Sequence, residues 1–413
     1  MSSVRDLADL TTAAGAVDAL RSTEAIRLRA RAMLARARAG ESPCFTVDDA
    51  ALKSAARTVA ELTRQRFPDL RIPYHSRWRH FEAGGVDRRA QLDALLGPVD
   101  VAERARTQID LALVSVLLDA GAGADWRYDE AASGQGFSRS EGLGVASFHA
   151  FAAGLFSGDA AQPLRVDARG LAALTTGTLG AAFQVGEGNP LVGLEGRVDV
   201  LRRLGVAMLA HAATYGPDGR PGGLYDALQA PALDAHDILR TLLDTLSDIW
   251  PAQNRLGGIA VGDCWPHPAV QGEGLTAGWM PFHKLSQWLT YSLLEPFEWA
   301  GVKVGGLDAL TGLPEYRNGG LLIDAGVLQP LPADHATRTW QAGDPFIVEW
   351  RALTVALLDE LAPLVRGELG LQADRLPLAC VLEGGTWGAG RLLAQRLRGG
   401  LPPLLIASDG TVF

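Results

Sequence analysis

Residues 282 to 324 read FHKLSQWLTYSLLEPFEWAGVKVGGLDALTGLPEYRNGGLLID, and this stretch decides how the rest of the chain is interpreted. Its first part has the pattern of an amphipathic helix, because Leu285, Leu289 and Leu293 recur at every fourth position and form one apolar stripe. Pro296 is expected to end this helix, since proline cannot donate the backbone hydrogen bond of the next turn. The stretch therefore predicts a buried helix that leads into a polar loop.

The opposite face of this helix is polar. Lys284, Gln287 and Tyr291 follow at steps of three and four residues and so share one face. Lys284 is one of only three lysines among 38 basic residues, which favours a specific role for its compact ammonium over a snorkelling surface position. Glu315 lies 31 positions further on, in the polar motif that starts at Leu313. We expect Lys284 and Glu315 to meet in a pocket.

Composition limits the class of protein. The chain has 413 residues, 47% of them hydrophobic and 21% charged, with a net charge of −9 and a pI near 5.4. This acidic balance argues against a nucleic-acid partner. The three cysteines are scattered, so neither a disulfide framework nor a thiolate metal site is indicated. No secretion signal or membrane-spanning run is seen, which makes a cytoplasmic protein without a membrane partner the expectation.

The order of predicted elements indicates a mainly α protein. Helical patterns dominate, and we expect one large helical domain in which residues 1–130 form an N-terminal helical extension packed on a catalytic core of residues 131–413. Near the C-terminus, residues 378–382 and 403–407 resemble short buried strands on either side of a helix, which predicts a small βαβ-like unit. Both strands would end in polar turns, and these turns make Glu383 and Asp409 secondary candidates for a pocket.

Two further segments are rich in polar side chains. The segment from Tyr74 to Glu82 holds arginine, histidine and aromatic residues, which is typical either of an anion- or sugar-binding segment or of a salt-bridged helix start. Glu349 and Arg351 lie in the first turns of a long apolar helix. That pair is interpreted either as a structural salt bridge or as part of the pocket wall.

Several of these motifs together resemble the uracil-catabolism family, nearly from end to end. They include the segment from residue 72 to residue 82, FHKLSQWLTYS from residue 282, LPEYRNGG from residue 313, VEWRALT from residue 348, LEGGTW from residue 382 and SDGTVF at the C-terminus. In that pathway uracil is converted to its nucleotide and the ring is opened. The resemblance then implies a step that releases urea from a ribosylurea species.

A second, remote resemblance covers roughly residues 142–361 and is to the queuosine 5′-phosphate N-glycosidase family, whose helical core is similar to DNA glycosylases. Lys284 matches that family's lysine, and Glu315, Tyr316 and Arg317 match its Asp-Tyr-Arg motif. Glu349 and Arg351 match its later glutamate and arginine. Glu315 departs from the family's aspartate, which moves the carboxylate by one methylene.

Both resemblances imply cleavage of an N-glycosidic bond, with ribosylurea 5′-phosphate giving urea and ribose 5-phosphate. Such cleavage passes through an oxocarbenium-like state that a nearby carboxylate stabilises, attacks, or assists by activating water. Glu315 is the predicted carboxylate, and Lys284 either keeps it ionised or binds the phosphate. Glu349 and Asp409 are the candidates for the general acid. The catalytic prediction is therefore Glu315, Lys284 and Glu349, with no metal and no cofactor required.

The remaining predicted site residues contact the substrate, which is a phosphorylated riboside. Arg317, Arg351 or His283 would contact the phosphate, while Trp288 and Tyr291 would form a stacking wall. The predicted substrate-binding set is His283, Gln287, Trp288, Tyr291, Tyr316, Arg317, Asn318, Arg351 and Asp409.

Other functions stay open at this point. An amidohydrolase-type ring opener would need a metal held by clustered histidines and acids, and the sequence has no such cluster. A glycosidase acting on a queuosine-type nucleotide is a second alternative. A non-catalytic helical partner that channels the intermediates of the pathway is a third. The sequence leaves the oligomeric state undetermined.

Overall fold

The chain folds mainly into α-helices, which confirms the predicted class. The computed structural model describes residues 9–250 and 254–407. In chain order the α-helices are α1 Ala13–Leu20, α2 Thr23–Arg38, α3 Asp49–Arg66, α4 Trp78–Phe81, α5 Arg88–Leu96, α6 Val101–Leu117, α7 Arg139–Ala152, α8 Ala168–Ala173, α9 Thr176–Ala182, α10 Leu194–Ala210, α11 Ala212–Tyr215, α12 Gly223–Ala227, α13 Ala235–Leu246, α14 Lys284–Trp299, α15 Tyr316–Asp324, α16 Pro345–Leu369, α17 Leu378–Val381 and α18 Trp387–Arg398.

The strands are short, and each described sheet has two of them. The antiparallel pairs are β1 Phe45–Val47 with β10 Leu328–Pro330, β2 Tyr128–Glu130 with β3 Gln135–Phe137, β5 Arg255–Leu256 with β6 Ile259–Ala260, and β7 Cys264–Pro266 with β8 Trp279–Pro281. The parallel pairs are β4 Ala232–Asp234 with β9 Lys303–Gly305, and β11 Thr339–Trp340 with β12 Leu405–Ile406.

The described residues form two compact units, each built from separate segments of the chain. Unit 1 contains the described residues of 1–75, 252–287 and 306–407, and unit 2 contains those of 76–251 and 288–305. The division predicted between residues 130 and 131 falls inside unit 2. The assignment of residues 1–130 to an extension packed on a core of residues 131–413 stays a prediction.

Unit 1 is organised around α16, the longest described helix. Most of its 25 residues are buried, and it packs against α2 and α3. Helix α15 packs mainly against α18, and glycines allow the close approach. A Cβ atom added at Gly390 of α18 would lie 2.1 Å from the carbonyl oxygen of Arg317, and one added at Gly319 would lie 2.3 Å from the Trp350 ring. These contacts hold the N-terminal turn of α15 firmly in place.

Unit 2 has α6 as its buried helix, in agreement with the nearly continuous apolar run of its sequence. The side chain of Asp100 caps α6 by accepting a hydrogen bond from the backbone N–H of Glu103 at 2.7 Å, and every residue from Thr107 to Leu117 is buried. Helix α7 packs along α6, while α10 packs against α8.

The prediction that Pro296 ends α14 is wrong, because the helix continues to Trp299. Proline leaves the carbonyl of Ser292, four residues earlier, without its helical partner. The indole N–H of Trp78 donates a hydrogen bond to that carbonyl at 3.0 Å. This substitute donor replaces the hydrogen bond that proline removes from the helix.

The predicted βαβ-like unit is also wrong. Residues 378–381 form helix α17, which continues through a π-helical segment, Leu382–Thr386, into α18. A short buried apolar run does not distinguish a strand from a helix by its periodicity. Gly385 serves close packing here, because an added Cβ would lie 2.6 Å from the side chain of Val59. The second predicted strand exists at residues 405–406, but it pairs with β11.

Candidate active site

Lys284 begins helix α14, and the residue that places it there is Asp263. The Asp263 carboxylate accepts a hydrogen bond from the backbone N–H of Lys284 at 3.0 Å. The backbone carbonyl of Asp263 accepts two more hydrogen bonds, from the backbone N–H groups of Phe282 at 2.9 Å and His283 at 3.1 Å. His283 has a φ of +50°, a left-handed conformation that is unfavourable for a non-glycine residue. The start of α14 therefore depends on the bonds that Asp263 accepts.

Glu315 caps helix α15 with both of its carboxylate oxygens. One oxygen accepts a hydrogen bond from the backbone N–H of Arg317 at 2.7 Å, and the other accepts one from Asn318 at 2.6 Å. Burial raises the pKa of Glu315 above its ordinary value. The two backbone bonds and the positive charges of Lys284 and Arg317 act in the opposite direction. Lys284 and Arg317 thus act electrostatically on Glu315, and we call these three residues the Lys284–Glu315 site.

The guanidinium of Arg317 has an unused donor. Arg317 is 5% exposed, and its buried Nε has no hydrogen-bond partner among the described residues. Its Cζ lies 5.0 Å from the ring centroid of Tyr316, which is partly buried in the first turn of α15. A buried N–H without an acceptor is costly, so this donor is suited to bind an acceptor that arrives with a ligand.

Arg351, predicted to contact phosphate, is fully buried and bound to protein atoms. Its two terminal nitrogens each donate to Asp263 at 2.7 Å, and its Nε donates to the carbonyl of Pro314 at 3.4 Å. Burial alone would raise the pKa of Asp263, but the Arg351 guanidinium and the bonds from Lys284 and Trp265 hold that pKa at about 2. Arg351 therefore contacts Asp263 and Pro314, the residues next to the site, and these hydrogen bonds are all to protein atoms.

Glu349 is buried on another side of α16, among a set of residues that we call the Glu349 cluster: Glu349, Ser42, Cys44 and His267. The hydroxyl of Ser42 donates to its carboxylate, and Nε2 of His267 lies 3.8 Å from it. Burial raises the pKa of Glu349. Burial and the nearby Glu349 raise the pKa of the Cys44 thiol to about 12. The Glu349 carboxylate thus contacts Ser42 and His267 of this cluster, and its role as a general acid stays a prediction.

Three predicted binding residues form hydrogen bonds within the protein. Gln287 uses both amide donors, on the carbonyl of Phe282 at 3.0 Å and the hydroxyl of Thr311 at 2.7 Å. Asn318 donates to the carbonyl of Leu313 at 3.1 Å. The Nε2 of His283 donates to the carbonyl of Leu20 at 3.0 Å. These bonds give all three side chains a structural role in unit 1.

The aromatic wall and the last acid have different positions. Trp288 and Tyr291 are buried and belong to unit 2. The ring of His80 is nearly perpendicular to the ring of Trp288, with 6.0 Å between the two centroids. Their stacking role stays a prediction. Asp409 lies outside the described residues.

Glu383, the other secondary candidate, lies in the π-helical segment. It accepts hydrogen bonds from His75 and Arg66 at 2.8 Å each, and these two groups lower its pKa although burial opposes them. Thr386 of the same segment donates to the Asn318 side chain at 2.9 Å. The π-helical segment is therefore linked to the turn that carries Glu315.

The sequence interpretation missed Asp263. A signal was present, because Asp263 is the only charged residue in the run IAVGDCWP at 259–266, and a lone acid in an apolar run is usually paired when buried. Among the described residues there is no group of three or more His, Cys, Asp or Glu side chains arranged to hold a metal ion. Within the same residues, no helix is long and apolar enough to cross a membrane.

The chain belongs to a family described as "Protein of unknown function (DUF1688)", whose model matches residues 19–413. It is similar to "Protein urg3" of Schizosaccharomyces pombe, with 40% identity over 95% of this chain and 98% of that protein. It is also similar to "Uracil catabolism protein 4" of Lachancea kluyveri, with 39% identity over 83% of this chain and 85% of that protein. These relatives confirm the resemblance to the uracil-catabolism family.

Proposed function

We propose that this protein acts in uracil catabolism as an N-ribosyl hydrolase that cleaves ribosylurea 5′-phosphate into urea and ribose 5-phosphate. The pathway is supported by the printed name of one relative, "Uracil catabolism protein 4". The reaction is supported by one observation above all, the buried carboxyl of Glu315 under the influence of two cations, Lys284 and Arg317.

In this proposal Glu315 is the general base. Both of its oxygens already accept backbone N–H bonds, which makes the carboxylate a weak nucleophile and leaves one further lone pair on each oxygen. Its raised pKa improves its match to a proton that must be removed near neutral pH. Water attacks C1′ and gives its proton to Glu315, the C1′–N bond breaks, and the departing urea nitrogen takes up a proton.

The cations bind the anionic end of the substrate. The unpartnered Nε of Arg317 supplies a donor to a phosphate oxygen, and Lys284 supplies a compact positive charge. With Glu315 ionised, these three groups carry a net positive charge, which favours a phosphorylated substrate over the free riboside. Glu349 and Asp409 remain the candidates for the acid that protonates urea.

The test is direct assay of urea and ribose 5-phosphate released from synthetic ribosylurea 5′-phosphate by the purified protein. We expect release by the wild type, loss of at least about a hundredfold in Glu315→Gln, and little change in Asp359→Asn. Asp359 is a matched control, since it pairs with Arg27 in unit 1 at 2.8 Å. Urea release equal in wild type and Glu315→Gln would overturn the proposal. Cleavage of a queuosine-type nucleotide in place of ribosylurea phosphate would assign the site to the other glycosidase class.

A further inference from the structure

We infer that Asp263 and Arg351 are positioning residues that fix where Lys284 and Glu315 lie relative to each other. The effect on catalysis rests on the proposed function, whereas the positioning of the two residues rests only on the contacts described below. Neither residue is expected to touch the substrate. No motif of the sequence points to Asp263, and for Arg351 the sequence left open a phosphate contact, a structural salt bridge or a position in the pocket wall.

Each half of the site is anchored to one end of the same ion pair. Asp263 accepts the backbone N–H of Lys284, so it determines where α14 starts. Arg351 donates to the carbonyl of Pro314, the residue immediately before Glu315. The contacts therefore run without a break from Lys284 through Asp263 and Arg351 to Pro314, which is bonded to Glu315 along the chain.

The ion pair that connects the two halves is rigid. The two parallel bonds between Arg351 and Asp263, both 2.7 Å, fix the angle between the two groups as well as their distance. Arg351 is fully buried, and its Cζ lies 4.0 Å from the ring centroid of Phe282, next to the strained residue His283. A lysine at position 351 has the charge but not the fork, so it cannot reach both partners in this geometry.

The positive charge that acts on Glu315 comes from the site and not from the ion pair. Asp263 neutralises Arg351, so the cations that act on Glu315 are Lys284 and Arg317. If the pair is removed, Lys284 loses the anchor of its backbone while Arg317 stays fixed in α15. The effect of the pair on Glu315 is therefore carried by the position of Lys284.

The experiment is a titration of the Glu315 carboxyl by carbon-detected NMR, with its signal assigned by its absence in Glu315→Gln. The variants are Asp263→Asn, which breaks the ion pair, and Asp263→Ala/Arg351→Met, which removes it without leaving a buried unpaired charge. Asp359→Asn is the control. We expect the midpoint of the Glu315 titration to rise by about one pH unit in the double variant and to stay unchanged in the control.

Kinetics give the second readout. We expect kcat to fall by at least about tenfold in both variants with a smaller change in KM, and Arg351→Lys to recover only part of the loss relative to Arg351→Met. An unchanged Glu315 titration in the folded double variant would overturn the inference even if activity fell. If the wild type releases no urea, the proposed function fails, and the titration still decides whether the pair positions Lys284.

Discussion

The carboxylate of Glu315 accepts a hydrogen bond from the backbone N–H of Asn318 at 2.6 Å, so the proposed base is also the cap of helix α15. Glu315→Gln replaces one accepting oxygen with an NH2 group that cannot accept, and we expect it to lower the free energy of unfolding by about 1 kcal/mol. Denaturant unfolding of the variant measures this cost. A loss of activity with no loss of stability would mean that the cap is not formed in solution.

The Asp263–Arg351 pair should make stability depend on pH at the acid end. The pKa of Asp263 in the folded protein is about 2, below the ordinary value of 3.8. The stabilisation is therefore fully present above pH 4, and it is lost as the pH falls from about 4 to about 2. Its size is on the order of 2 kcal/mol. Urea unfolding across this range should show a steeper loss in wild type than in Asp263→Ala/Arg351→Met, and parallel curves would contradict the expectation.

The close approach of α15 to α16 predicts a contrast between adjacent glycines. Gly319→Ala places a Cβ 2.3 Å from the Trp350 ring, and we expect a loss of about 1–3 kcal/mol. Gly320→Ala places its Cβ 3.3 Å from Pro403, so it should cost clearly less. Thermal unfolding of the two variants measures the difference. Equal losses would show that the ring of Trp350 can move aside.

The bond from Trp78 to Ser292 predicts an interaction between positions 78 and 296. Trp78→Phe removes the donor that replaces the missing N–H of Pro296, and it should cost about 1–3 kcal/mol through the unsatisfied carbonyl. Pro296→Ala restores a backbone donor at that carbonyl. In the double-mutant cycle, Trp78→Phe should therefore cost less in the Pro296→Ala background. An identical cost in both backgrounds would contradict this explanation of the continuous helix.

The Glu349 cluster predicts the reactivity of Cys44. With a thiol pKa of about 12, Cys44 should react slowly with iodoacetamide at pH 8. Glu349→Gln removes a nearby negative charge, so the pKa should fall and alkylation should become faster. Mass spectrometry of the labelled peptide locates the reaction, with Cys44→Ser as the blank and Asp359→Asn as the charge control. An alkylation rate unchanged by Glu349→Gln would show that the Glu349 carboxylate does not raise the pKa of the Cys44 thiol.

Local patterns predicted the mainly α class and a buried helix in the stretch that begins at residue 282. That Lys284 and Glu315 meet in one pocket stays a prediction. The local patterns did not predict the path through Pro296, because the donor that permits it comes from Trp78, which lies 214 positions before Ser292. The strand predicted at residues 378–382 failed for a related reason, since the glycines that follow serve packing against α3.

The site residues show the same limit. A motif matched Arg351 to a ligand-contacting position, but the partner that binds its guanidinium lies 88 residues earlier, outside every motif. Asp263 was missed because its importance comes from that long-range pair. Roles that depend on which side of a helix faces a partner, as for Glu349, also needed the structure.

The pairing of β1 with β10 joins Phe45 to Pro330, and Ser42 bonds to Glu349 across 307 residues. During synthesis the partners of these amino-terminal segments therefore leave the ribosome only after most of the polypeptide has been made. Translation halted anywhere before residue 351 would leave Asp263 without its counter-ion and α2 without α16. The nascent chain is thus expected to remain a client of chaperones until late in its synthesis, and to acquire its site in one of the last steps of folding.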